Sequence, residues 1–205
     1  MIKKIKLGVL ASGKGSNLES IILAIERKEL PAEIACVLSD AQEAGALEKA
    51  GRRNLKAFYI DPGKFKTILS PEAEKNFIET LKGNGVELVI LAGFMRVLKK
   101  NFIAAFKDRI FNIHPSLLPA FPGLEAWRQA LDYGARVAGV TVHFVDEGMD
   151  TGPIILQEAV PVKDDDTPES LHKRIQEKEH LLYPRAIKLY AEGRLKIVGR
   201  RVFIK

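Results

Sequence analysis

The chain has 205 residues, 46% of them hydrophobic and 28% charged, with 16 glycines and 10 prolines. That balance excludes a disordered chain, a collagen-like rod and a disulfide scaffold. Lysine plus arginine outnumber aspartate plus glutamate by 32 to 26, a net charge of +6. The cations are spread along the chain, with modest clusters at Lys3, Lys4 and Lys6 and from Arg194 to Arg201. Without interleaved aromatic residues they read as a solvated surface rather than a nucleic-acid face. The single cysteine, Cys36, permits neither an internal disulfide nor a cysteine-based zinc site. Its apolar run, Ile34 to Leu38, points to a buried thiol. Apolar stretches fall short of a membrane span, and no cleavage site follows the basic start of the chain, so a cytoplasmic location is expected.

Ile5 to Leu10 reads as a strand, and Ser16 to Arg27 as a helix with Leu18, Ile21, Ile22 and Ile25 at helical spacing. A strand from Glu33 to Ser39, a helix from Ala44 to Arg52 and a short strand from Lys56 to Ile60 follow. Ser70 and Pro71 supply an N-cap and a first-turn proline for a helix through Lys82. Val86 to Ala92 is a continuous apolar strand of the kind a parallel sheet buries on both faces. The order β-α-β-α-β-α-β predicts an α/β fold with an open, mostly parallel, Rossmann-like sheet and helices on both faces.

The second half changes character. Leu98 to Phe106 reads as a helix, Arg109 to Ile113 as a strand ending at His114, and Leu124 to Tyr133 as a helix after a proline-rich loop. Arg136 to Val145 alternates like a half-exposed strand, and with Pro153 to Val162 it predicts an antiparallel portion of the sheet. Thr167 and Pro168 cap a long final helix running towards Gly193, with a bend expected at Pro184. No repeat or linker interrupts the chain, and one domain over 1–205 is expected.

The turn after the first strand reads Ala11-Ser12-Gly13-Lys14-Gly15-Ser16-Asn17-Leu18. A P-loop fails here because Gly15 stands where the magnesium-binding hydroxyl belongs, and Gly8 lies inside the strand. The dinucleotide fingerprint fails because Leu18 replaces its third glycine. What remains is a glycine turn feeding a helix N-terminus, which suits a monophosphate held without a metal. A glycine-rich N-cap is the plainer alternative.

Asn112 and His114 leave the end of a strand on the same face, where open α/β sheets bind ligands. An amide and an imidazole there suit a developing oxyanion, and the imidazole can pass a proton to a leaving amine. Asp150 lies in a glycine-flanked loop; spacing leaves open whether it faces His114 or only stabilises the turn. No Gly-x-Ser-x-Gly elbow is present. His114, His143, His172 and His180 lack metal-ligand spacing, and His143 reads as a packed strand residue.

Five blocks together carry a resemblance: 11–18, Leu91-Ala92-Gly93-Phe94-Met95-Arg96, 111–119, Phe121-Pro122-Gly123 and Asp150-Thr151-Gly152-Pro153-Ile154. Nearly the whole chain resembles the phosphoribosylglycinamide formyltransferases, folate-dependent enzymes of purine biosynthesis. The resemblance implies transfer of a formyl group from 10-formyltetrahydrofolate, a co-substrate, to the amine of glycinamide ribonucleotide, with no metal. It assigns catalysis to Asn112, His114 and Asp150, with His143 in support. It assigns the ribonucleotide to Gly15, Ser16, Asn17, Asn112, Gln176 and Glu179. It assigns the folate to Met95, Arg96, Val97 and Leu98 and to Asp146, Glu147, Gly148, Met149 and Asp150. Lys66 stands near a basic residue that members use on their ligands, and Glu125 stands where some members have a histidine. The implied organisation puts the ribonucleotide on the first half and the catalytic and folate functions on the second. Small-molecule substrates are expected, without nucleic acid or membrane, in a monomer or homodimer. A formyltetrahydrofolate hydrolase, a methionyl-tRNA formyltransferase and a non-catalytic nucleotide- or RNA-binding module are the competing readings. Hydrolysis needs no phosphate seat, 205 residues leave no room for the second enzyme's added RNA-binding domain, and the third leaves the polar triad idle.

Overall fold

The computed structural model describes residues 4–205, so Lys3 of the amino-terminal basic cluster lies outside them. The chain divides into two compact units, one ending at Phe111 and one from Asn112 to Lys205. In the first, β1 (Ile5–Leu10), β2 (Ala32–Ser39), β3 (Ala57–Tyr59) and β4 (Leu88–Leu91) lie in the order β3-β2-β1-β4, and the chain leaves it along β5 (Ile110–His114). β1 is parallel to both β2 and β4, and β2 to β3. Leu7, Val9, Leu10, Leu88, Val89 and Ile90 have no exposed surface, as strands covered on both faces require.

The helices of this unit are α1 (Ser16–Glu26), α2 (Gly45–Arg52), α3 (Pro71–Gly83) and α4 (Lys100–Ala105). α3 starts as its sequence dictates: Ser70 Oγ accepts from Ala73 N at 3.1 Å, and Pro71 takes the first turn. Gly8 belongs to the packing, since a Cβ there would collide with Leu81 of α3. Cys36 is buried, and burial pushes its thiol up to about 11 against the opposing charge of Lys56, so it stays an unreactive thiol.

The second unit contains α5 (Ala126–Tyr133), β6 (Val137–Phe144), β7 (Ile154–Pro161), α6 (Pro168–Ala191), β8 (Leu195–Val198) and β9 (Arg201–Ile204). Its strand order is β5-β6-β7-β9-β8, with β6 antiparallel to β7 and β8 antiparallel to β9. The expectation of a half-exposed strand at 136–145 is corrected: only Val137 of β6 is exposed, and Ala138 to Phe144 are buried. The alternating polar positions face a buried network instead of water. Thr141 Oγ1 donates to Ser116 O at 2.7 Å and accepts from Leu118 N at 3.1 Å. The basic residues of the stretch from Arg194 are exposed, as a solvated surface requires. The stretch forms the β8–β9 hairpin, with Arg201 stacked over Phe203 at 4.8 Å. Among the described residues no helix is long and apolar enough to cross a membrane.

α6 opens with a reciprocal capping box between Thr167 and Ser170, followed by Pro168, and it continues through Pro184. Asp166 braces this start by accepting from Arg174, from Lys163 N at 2.7 Å and from Ser170 Oγ at 2.7 Å. Burial raises its carboxyl, but these donors outweigh it and carry the group from 3.8 down to about 2. A depressed carboxylate stabilises the fold above its unfolded value and loses that effect as pH falls through the folded one. Asp166→Asn is expected to cost about 1 kcal/mol at pH 7, a value reduced for solvent screening. The difference in Tm from wild type should close between about pH 4 and pH 2.

Candidate active site

In the first unit, the turn after β1 bends into α1 through Gly15, whose φ of 72° and ψ of 35° are left-handed. A Cβ there would lie 2.8 Å from Ala46 Cα, so glycine is required both by the backbone and by the close approach of α2. Ala46 N donates to Gly13 O at 3.2 Å, which pins α2 to the turn. No side chain caps α1 at Gly15, and Ser16 begins the helix. Asn17 is buried, and its carbonyl accepts from Ser20 Oγ at 2.9 Å. The turn therefore presents an N-terminus of the type that holds anions.

In the segment after β4, exposure alternates from Met95 to Leu98. Met95 and Val97 are 58% and 43% exposed, whereas Leu98 is buried. Arg96 turns inward: Nε donates to Asp40 Oδ2 at 2.6 Å, and Nη1 to the carbonyls of Phe65 and Lys66 at 2.5 Å each. Lys66 therefore enters this cluster through its backbone, and its side chain is exposed. Met95 N donates to Ser12 Oγ at 2.8 Å.

In the second unit, Asn112, His114, His143 and Asp150 converge. Asp150 holds a left-handed φ of 54°, and its Oδ2 lies 3.4 Å from His114 Nδ1. The same oxygen accepts from Gly123 N at 2.9 Å, and Oδ1 accepts from Asn112 Nδ2 at 3.4 Å. The alternative left open by spacing is thereby resolved, for Asp150 faces His114. His114 Nε2 lies 2.9 Å from Phe121 O. Both ring nitrogens thus face acceptor atoms.

His143 is more than a packed strand residue. Burial drives its imidazole below the usual 6.5, against the opposing pull of the Phe144 carbonyl and of Asp150, and keeps the ring neutral. Nδ1 lies 2.7 Å from Phe144 O, so it carries the hydrogen. Nε2 is then an acceptor, 3.2 Å from Asn112 Nδ2. With His143 Nε2 and an Asp150 oxygen both accepting, the atom between them must be the amide nitrogen. The side-chain orientation of Asn112 follows from those two neighbours.

The loop before Asp150 is braced from within: Asp146 Oδ1 accepts from Thr151 Oγ1 at 2.6 Å and from Gly148 N at 3.2 Å. Glu147, Gly148 and Met149 are exposed. On α6, Glu179 is 5% exposed, so it is no part of a solvated stripe, and Gln176 is half-buried one turn before it. Glu125 is exposed and pairs with Arg128 at 3.1 Å. Phe121 and Gly123 were not foreseeable as members of the cluster, because they contribute a carbonyl and an amide. Their only signal is the Phe-Pro-Gly motif.

The formyl transferase family model matches residues 5–187. A phosphoribosylglycinamide formyltransferase of Bacillus subtilis (strain 168) is 43% identical over 183 residues, covering 89% of this chain and 93% of the relative. A trifunctional purine biosynthetic protein adenosine-3 of Gallus gallus is 42% identical over 194 residues, covering 95% of this chain and 19% of that longer protein. The crystal structure of glycinamide ribonucleotide transformylase 1 from Symbiobacterium toebii superposes with a TM-score of 0.93 at 51% identity, covering 98% of this chain and 94% of that one. With the family pattern matched over most of its length, and the Asn-His-Asp cluster assembled at the end of β5, the chain belongs to the formyl transferase family.

Proposed function

We propose that this chain transfers the formyl group of 10-formyltetrahydrofolate to the amino group of glycinamide ribonucleotide, in purine biosynthesis. The convergence of Asn112, His114 and Asp150 carries this reading, supported by the names of the relatives. The ribonucleotide phosphate meets Gly15, Ser16 and Asn17, and Gln176 and Glu179 hold the rest of that substrate. Met95 to Leu98 and 146–150 hold the folate, with Lys66 at its periphery. The enzyme works in the cytoplasm as a monomer or homodimer, on small molecules alone and without a metal.

The neutral amine attacks the formyl carbon, forming a C–N bond and a tetrahedral oxyanion. Both contacts of Asp150, to Asn112 and to His114, are long at 3.4 Å. A full negative charge on the substrate oxygen competes well for hydrogens held that loosely, so Asn112 and imidazolium His114 stabilise it. Asp150 lies beside His114 as a counter-charge and relays the amine proton to the folate nitrogen as the C–N bond to folate breaks. Tetrahydrofolate and the formylated ribonucleotide leave, with no covalent enzyme intermediate.

An absorbance assay of folate deformylation, run with and without glycinamide ribonucleotide, tests this. Deformylation is expected only when the ribonucleotide is present. An equal rate without it overturns the reading in favour of hydrolysis.

A further inference from the structure

We infer that Asp40 is a positioning residue for the formyl donor: through Arg96 and Ser12, its buried carboxylate ties the segment 95–98 to the glycine turn. The inference rests on the reading of 95–98 as donor-binding. Asp40 directly follows the last residue of β2, and its side chain is 4% exposed. Among the described residues each of its oxygens has one partner. Oδ1 accepts from Ser12 Oγ at 2.5 Å, and Oδ2 accepts from Arg96 Nε at 2.6 Å. Ser12 is itself a relay, because its Oγ accepts from Met95 N at 2.8 Å and its amide donates to Gly93 O at 3.1 Å.

Arg96 extends the tie in the other direction. Its Nη1 bonds the carbonyls of Phe65 and Lys66, and next to it Val97 N donates to Thr67 O at 2.8 Å. The Arg96 side chain is 16% exposed, and its charge is matched by Asp40. A planar fork with several N–H groups serves a carboxylate and two carbonyls on separate nitrogens in one fixed geometry. Because Arg96 is held inward, Met95 and Val97 face outward on either side of it. A ligand on this segment meets those two side chains and the backbone. The charge of Arg96 supports the surface without contacting the ligand.

The two possible roles of Arg96 predict opposite signs. If it were an anion contact held in reserve, removing the Asp40 charge would free it and lower the KM for the donor. If it is a strut, the same change loosens 95–98 and raises that KM. Asp40→Asn keeps the size and an acceptor for Ser12 while removing the charge. The measurement is the KM for each substrate, kcat, and amide hydrogen exchange at Met95 and Val97. We expect donor KM to rise about tenfold, the loss of one charge-assisted hydrogen bond, with kcat and ribonucleotide KM within about twofold and faster exchange at both amides. Arg96→Lys should shift donor KM the same way, and Asp40→Asn with Arg96→Met should be no worse than either single change.

A lowered donor KM, or a loss confined to kcat, overturns the proposal. Unchanged donor KM with faster exchange also overturns it, while leaving the formyl-transfer reading intact. Absence of transfer by the wild-type enzyme overturns that reading itself. Should Asp40→Asn fail to fold, Ser12→Ala keeps the Asp40–Arg96 ion pair and removes the bonds of Ser12 Oγ to Asp40 Oδ1 and to Met95 N. It must then show the same selective rise in donor KM, and a KM left at the wild-type value sinks the proposal.

Discussion

Asp150→Asn is expected to lower kcat by about 10²–10⁴, the usual contribution of a positioned acid–base group, with Tm little changed. Asparagine has the same shape and can still accept from Gly123 N, which lies 2.9 Å from Oδ2 in the wild type. What disappears is the negative charge beside His114 Nδ1 and Asn112 Nδ2, each 3.4 Å away. Without it the imidazolium has no counter-charge, and one step of the proton relay is missing. The KM values should move far less than kcat, since asparagine keeps the shape of the residue and its bond from Gly123 N and removes only the charge. Steady-state rates across pH 5 to 9, with Tm measured alongside, check this. A folded Asp150→Asn enzyme turning over near the wild-type rate removes Asp150 from the chemistry. Unchanged kcat with a large rise in folate KM would reassign it to binding.

The same cluster shows where sequence reading reaches and where it stops. Asn112 and His114 are two apart in a strand, so their shared face is a property of the pleat and can be read locally. Caps are equally local: Ser70-Pro71 and Thr167-Pro168 start α3 and α6 where the residues indicate. β1 spans Ile5–Leu10 as its apolar run predicts. Asp150 reaches His114 only through the tertiary course of the loop, and Phe121 and Gly123 act through backbone atoms that leave no side-chain signal. His143 illustrates a subtler limit. Its pattern correctly indicates a packed strand residue, but the partner of its buried Nε2 is what matters, and that partner lies 31 positions away. β8 and β9 went unpredicted because Lys196, Arg200 and Arg201 overlay an alternation whose apolar members are half-buried at Leu195, Ile197 and Val202 and exposed at Val198, Phe203 and Ile204. Asp40 and Ser12 carry no motif that would mark them as a pair. Their bond, 28 positions apart, depends on where the fold brings the ends of β1 and β2.

Gly15→Ala should be the most damaging single-methyl change in the glycine turn. The residue sits at a φ of 72°, where an L side chain costs about 1–2 kcal/mol. The added carbon would also lie 2.8 Å from Ala46 Cα and 3.0 Å from Ala46 Cβ. Ala46 is fully buried and tied to Gly13 O, so relief requires the start of α2 or the turn itself to shift. Together these effects should cost about 2–4 kcal/mol of stability. If the turn only caps α1, the loss ends there. If it seats the phosphate, its amides move off their target. The KM for glycinamide ribonucleotide then rises by about tenfold or more, while the KM for the folate stays close to wild type. Gly51→Ala is the matched control: it lies in the same helix α2, and a Cβ there meets nothing within 4 Å. Competition by inorganic phosphate completes the test. Phosphate should compete with the ribonucleotide on the wild-type enzyme and on Gly51→Ala, and much more weakly on Gly15→Ala. Equal competition on all three would show that the phosphate binds elsewhere.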